Sequence, residues 1–153
     1  MKTLLNLTIL LLLIFKGFSQ DTEVRRKEFL LEKGTAIQGY DPTVYFSGKA
    51  QKGKKEFSYL QKGVNYQFAN ANNVETFKKN PTKYEPQYGG WCAYAMGSSG
   101  EKVEIDPETY KIINGKLYLY YHTFFSNTLT DWNKDENGLK AKADINWTKY
   151  ITK

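Results

Sequence analysis

Three side chains could do chemistry that ordinary packing does not need: Cys92, Met96 and His122. Cys92 is the chain's single cysteine and His122 its single histidine. One histidine excludes any mechanism that needs two. It also excludes a structural zinc site built from several His and Cys ligands, which wants four such donors. A thiolate with an imidazole suits copper or zinc, and a second soft sulfur favours Cu(I). Met96 lies four residues after Cys92. If the stretch is helical throughout, both sulfurs share one face. Cys92 and His122, with Met96, are therefore the candidate metal ligands, and copper or zinc the candidate metals. Carboxylates or a second copy of the chain would have to complete the shell.

Cys92 has two other readings. As a redox thiol it would be the catalytic residue of a thiol oxidoreductase. That requires exposure and a lowered pKa, supplied by a helix N-terminus or nearby cations. Gly89-Gly90 just before it would make a tight turn into a helix whose free N–H groups point near the sulfur. As a packed residue it would be an inert small apolar group between Trp91 and Tyr94. For His122 the ordinary role is a satisfied polar residue at a hairpin end. No Gly-x-Ser-x-Gly, His-Glu-x-x-His or phosphate-cradling glycine loop is present.

The elements that must position these residues begin after residue 19. Residues 1–19 carry Lys2, an apolar run from Leu4 to Phe15, and small residues at Gly17 and Ser19. This is the pattern of a secretory signal peptide cut after Ser19, and the run is short for a membrane span. The expectation is a periplasmic or secreted protein with no stable span after cleavage. Loss of Lys2 and Lys16 takes the formal charge from +6 to +4. The charges are interspersed, and the basic cluster Arg25-Arg26-Lys27 is followed at once by Glu28. No basic stripe of the kind a nucleic-acid binder needs is visible, so nucleic acid is not an expected partner. A metal ion or a redox partner is.

Residues 20–34 read as a linker or short helix, and 35–150 as one domain. Phe57 and Tyr59, then Val64, Tyr66 and Phe68, alternate across the turn at 61–63, predicting a hairpin. Asn70 or Asn72 can cap a helix carrying Val74 and Phe77, ended by Asn80-Pro81. Asn114-Gly115 between two β-rich runs predicts a second hairpin over 109–121. Two helical patterns follow. Phe124, Phe125, Leu129 and Trp132 fit one. Leu139, Ala143, Ile145 and Trp147 fit the other, after a break at Asn137-Gly138. The fold class is α+β: antiparallel hairpins covered by short helices.

The segments GYDPTVYF (39–46), GVNYQFANANNVETFKKNPTKY (63–84), PQYGGWCAYA (86–95) and NGKLYLYY (114–121) together resemble the YHS-domain family. They are most similar to its small exported bacterial branch, some members of which are labelled selenoproteins. The closing ADINW (143–147) also fits. The resemblance implies a small α+β domain linked to metal or redox handling. The family's metal-associated cysteines follow its Asp-Pro-Val and its aromatic-x-Phe. At those places this chain has Val44 or its neighbours and Ala69, so the usual thiols are absent and Cys92 stands elsewhere. The expected function is a small metal- or redox-linked binding protein centred on Cys92. The alternatives are a thiol oxidoreductase, or a non-catalytic interaction domain in which the cysteine packs.

Overall fold

The structure, a computed structural model, describes residues 20–152. The signal-peptide reading of residues 1–19 lies outside the described residues. The fold is α+β. A helix α1 (20–28) leads into a four-stranded sheet made of β1 (Leu31–Glu32), β2 (Thr35–Ala36), β3 (Lys54–Gln61) and β4 (Val64–Phe68), in the order β1-β2-β4-β3. β1 thus belongs to the sheet, ahead of the boundary at residue 35 that the sequence suggests. β3 and β4 form the expected hairpin, with Tyr59 opposite Tyr66. One pairing is not a hairpin: β2 runs parallel to β4, with Thr35 opposite Asn65.

Helix α2 (Ala71–Lys79) follows, its first turn capped by the Asn70 side chain accepting from the Asn73 N–H. Pro81 starts a separate one-turn helix, α3 (Pro81–Tyr84), where its missing N–H costs nothing. Val64, Tyr66 and Phe68 point from β4 into the first core cluster, onto Val74 and Phe77 of α2. Val44–Ser47, a short apolar run in the sequence, is a 3-10 turn that buries Tyr45.

The second half holds α4 (Ala93–Ser98), the hairpin β5 (Asp106–Ile113) and β6 (Lys116–Tyr120), a small hairpin β7 (His122–Thr123) and β8 (Ser126–Asn127), α5 (Thr128–Trp132) and α6 (Glu136–Ile151). Asn114 and Gly115 both take positive φ, 51° and 71°, as a two-residue type I′ turn demands. α4 packs on α6 through Gly97, where a Cβ would sit 2.5 Å from the Leu139 carbonyl oxygen. The expected break at Asn137-Gly138 is instead the first turn of α6. Asp135 caps it by accepting from the Gly138 N–H, so the interruption falls before residue 136. Phe124 and Phe125 are not helical at all. They form the tip between β7 and β8, where a two-residue strand on each side is too short to show any alternation.

The Asp41-Pro42 turn joins the halves of the first cluster. Asp41 is fully buried. One carboxylate oxygen accepts from the N–H and hydroxyl of Thr43, and the other from the Ala69 N–H and the Asn73 side-chain amide. Four donors thus fix the turn to the start of α2 and solvate the charge. Asp41→Asn puts an NH₂ group against one donor pair and is expected to cost about 2 kcal/mol. A urea-unfolding curve reads this directly, and an unshifted midpoint would show that the turn does not depend on the charge.

Candidate functional site

Tyr88, Gly89 and Gly90 all have positive φ, at 55°, 61° and 91°. This tight turn delivers the chain to α4, as the paired glycines suggest. Gly89 is needed there: a Cβ would meet Phe29 and Trp147 rings at 2.8 Å. Cys92 is the residue before the helix, with extended-type φ/ψ of −56° and 118°. Because it lies outside the helix, the four-residue spacing to Met96 does not align the two side chains. Cys92 faces the first core cluster, with Val64 and Phe68. Met96 faces the second, with Tyr88, Tyr118 and Trp132. Both side chains are fully buried.

The sulfur is enclosed by bonds rather than merely by packing. The Tyr121 N–H donates to Sγ at 3.3 Å, and the Thr128 hydroxyl lies 3.4 Å away. That hydroxyl donates to the Tyr121 carbonyl at 2.8 Å, and the Thr128 N–H donates to the same oxygen at 3.0 Å. The Thr128 oxygen has therefore spent its proton and accepts from the thiol S–H. The first-turn N–H groups of α4 do not reach the sulfur, because Cys92 makes no side-chain capping bond. The helix-terminus contact expected of a reactive thiol is thus not made, and a closed hydrogen-bond ring through Tyr121 and Thr128 stands in its place.

His122 follows Tyr121 in the chain, but its ring is at the surface. Nδ1 lies 3.0 Å from the Thr109 hydroxyl and 3.4 Å from an Asp106 carboxylate oxygen. Asp106 also accepts from the Thr109 hydroxyl at 2.8 Å. The three form a polar clasp between β5 and β7, the hairpin-end role open to a lone histidine. Cys92, Met96 and His122 are thus not brought together. Among the described residues no group of three or more His, Cys, Asp and Glu side chains is placed to hold a metal ion. The residues present do not fit the metal the family resemblance implies: the positions of its usual thiols hold other side chains, the one thiol is already engaged on both sides, and the Met96 sulfur lies in the other core cluster.

The ring around Cys92 closes the base of the β7–β8 hairpin. Tyr121 immediately precedes β7 and Thr128 immediately follows β8, so the buried sulfur sits where the hairpin leaves the core. At its tip Phe124 and Phe125 are 94% and 93% exposed. Their rings pack on each other edge to face, with centroids 5.0 Å apart. Tyr120, one residue before the ring, is buried against Trp132. Burial raises its phenol above the usual range, and its hydroxyl finds no partner among the described residues. Sequence reasoning missed the aromatic tip, since two adjacent phenylalanines fit a helix pattern as well. Comparison with family models, curated proteins and solved structures finds no match for this chain.

Proposed function

We propose that the chain is a non-catalytic interaction domain of the exported, YHS-like type, and that the β7–β8 hairpin is its contact element. The observation that carries this reading is the pair Phe124–Phe125, almost wholly in solvent on a hairpin whose base is bonded into the core. Single exposed apolar residues are commonplace, but adjoining aromatics held on a rigid support are the usual anchors of an interface. Cys92 serves as a positioning residue, one that fixes the hairpin's angle.

The occupant is an apolar pocket on a partner protein. No lysine or arginine lies in residues 122–127, and the Asp106 carboxylate lies beside His122. An anionic lipid surface would call for cations there. The test places a photo-crosslinking phenylalanine analogue at position 124 in the producing cells, with Leu60, another exposed apolar side chain, as the control site. A partner captured at 124 and not at 60 is then purified. Phe124→Ser with Phe125→Ser is expected to weaken its binding at least about a hundredfold, with the circular dichroism spectrum unchanged. Equal affinity of the double variant overturns the reading, as does binding to phosphatidylglycerol vesicles in place of protein.

A further inference from the structure

A cavity of about 540 Å³ opens between the β1–β2 turn and the start of β3. That is within the roughly 300–1,000 Å³ range of small-molecule sites, although its walls are polar. Its construction demands unusual backbone. Ile37, Gln38 and Gly39 take φ of 52°, 51° and 81° in succession, and Ile37 is a buried β-branched residue. Such a residue rarely adopts this conformation, and strain of this kind concentrates at ligand clamps. The 51–53 segment lies so close to β4 that a Cβ on Gly53 would sit 2.4 Å from the Gln67 backbone. The Gly53 N–H donates to the Gly39 carbonyl at 2.8 Å, closing the floor.

The lining has a definite chemical character. Lys33, Lys52 and Lys55 reach it with a single carboxylate, Glu32. None of the three ammonium groups makes an ion pair or hydrogen bond among the described residues. Lys52 has only the face of Tyr40, at 5.8 Å. Unpaired lysines occur elsewhere on the surface, but here three of them line one concavity. Acceptors line the same cavity. The Gln38 amide donates to the Ile105 carbonyl at 3.0 Å, and its own oxygen has no hydrogen-bond partner among the described residues. Glu32 is likewise unpaired, and the Gln67 side-chain amide has no hydrogen-bond partner among the described residues. Cations for an anionic group, beside acceptors for hydroxyl donors, match a ligand that carries both.

We propose that this cavity binds an anionic sugar, its phosphate or carboxylate held by Lys33, Lys52 and Lys55 and its hydroxyls by Glu32, Gln38 and Gln67. The site is separate from the aromatic hairpin, and its failure leaves that reading untouched. The test titrates the purified protein at low ionic strength with glucose 6-phosphate and with glucuronate, using glucose and inorganic phosphate as controls. Saturable heat with either charged sugar is expected, tighter than with either control, and weakened by added salt. The two charged sugars separate phosphate from carboxylate recognition. Lys52→Glu with Lys55→Glu is expected to weaken binding about tenfold or more, and Gln67→Leu to narrow the gap between glucose 6-phosphate and phosphate. The amide resonances of Gly39 and Gly53 report occupancy of the floor. No saturable binding of either charged sugar, equal affinity for phosphate alone, or full binding by the double lysine variant would each overturn the proposal.

Discussion

Iodoacetamide is expected to modify Cys92 in the folded protein at least about a thousandfold more slowly than in the urea-unfolded chain. The side chain has no exposed area, and both of its hydrogen-bond positions are occupied. Reaction therefore requires the hairpin base to open, and the rate follows the population of that opened state. Protection by a factor of a thousand corresponds to an opening free energy of about 4 kcal/mol, reachable by lifting β7–β8 and the start of α5 without unfolding the sheet. Thr128→Val keeps the volume but removes the hydroxyl that bonds Tyr121 and accepts from the thiol. It is expected to raise the native rate about tenfold, as the loss of about 1.4 kcal/mol of hydrogen bonding implies. A wild-type rate near that of the unfolded chain would mean a reachable sulfur, and would restore the metal and redox readings.

That outcome bears on how the sequence should be read. The hairpins were legible because their signals are local. Asn114-Gly115 and the alternation of Val64, Tyr66 and Phe68 each sit within a few residues. The α2 cap and its stop at Asn80-Pro81 are local too. The state of Cys92 was not legible, because the groups that decide it lie 29 and 36 residues away, at Tyr121 and Thr128. Gly89-Gly90 signals the tight turn before Cys92, yet the helix that follows begins one residue too late to put the sulfur over Met96. The polar cavity has the same difficulty. It gathers residues between 32 and 67, and its defining feature, three left-handed residues beginning at Ile37, contradicts what a β-branched side chain predicts. The Phe124–Phe125 tip failed for a different reason: the strands beside it are too short to carry a period.

Trp132→Ala is expected to destabilise the protein by about 3–5 kcal/mol, the range for truncating a fully buried large aromatic. Trp132 ends α5, has no exposed surface, and packs on Tyr118 and Tyr120 at 5.9 and 5.6 Å between ring centroids. Its indole N–H donates to the Glu136 carboxylate at 3.1 Å, bridging α5 to the first turn of α6. Trp132→Phe retains most of the apolar contact and loses that bond, so a cost of about 1–2 kcal/mol is expected for it. Urea unfolding measures both, and a loss below about 1 kcal/mol for the alanine variant would show that the second cluster collapses to fill the gap. The more informative comparison is with Phe77→Ala. Phe77 is equally buried and contacts four rings, Tyr59, Tyr66, Phe68 and Tyr84, in the first cluster. A similar loss of global stability is therefore expected from it. Helix α5 begins at Thr128, however, so removing Trp132 loosens the element that closes the ring around the sulfur. Trp132→Ala should speed Cys92 alkylation more than Phe77→Ala does at matched stability. Equal acceleration would mean that the thiol is released only by global unfolding, and that the hairpin base has no opening of its own.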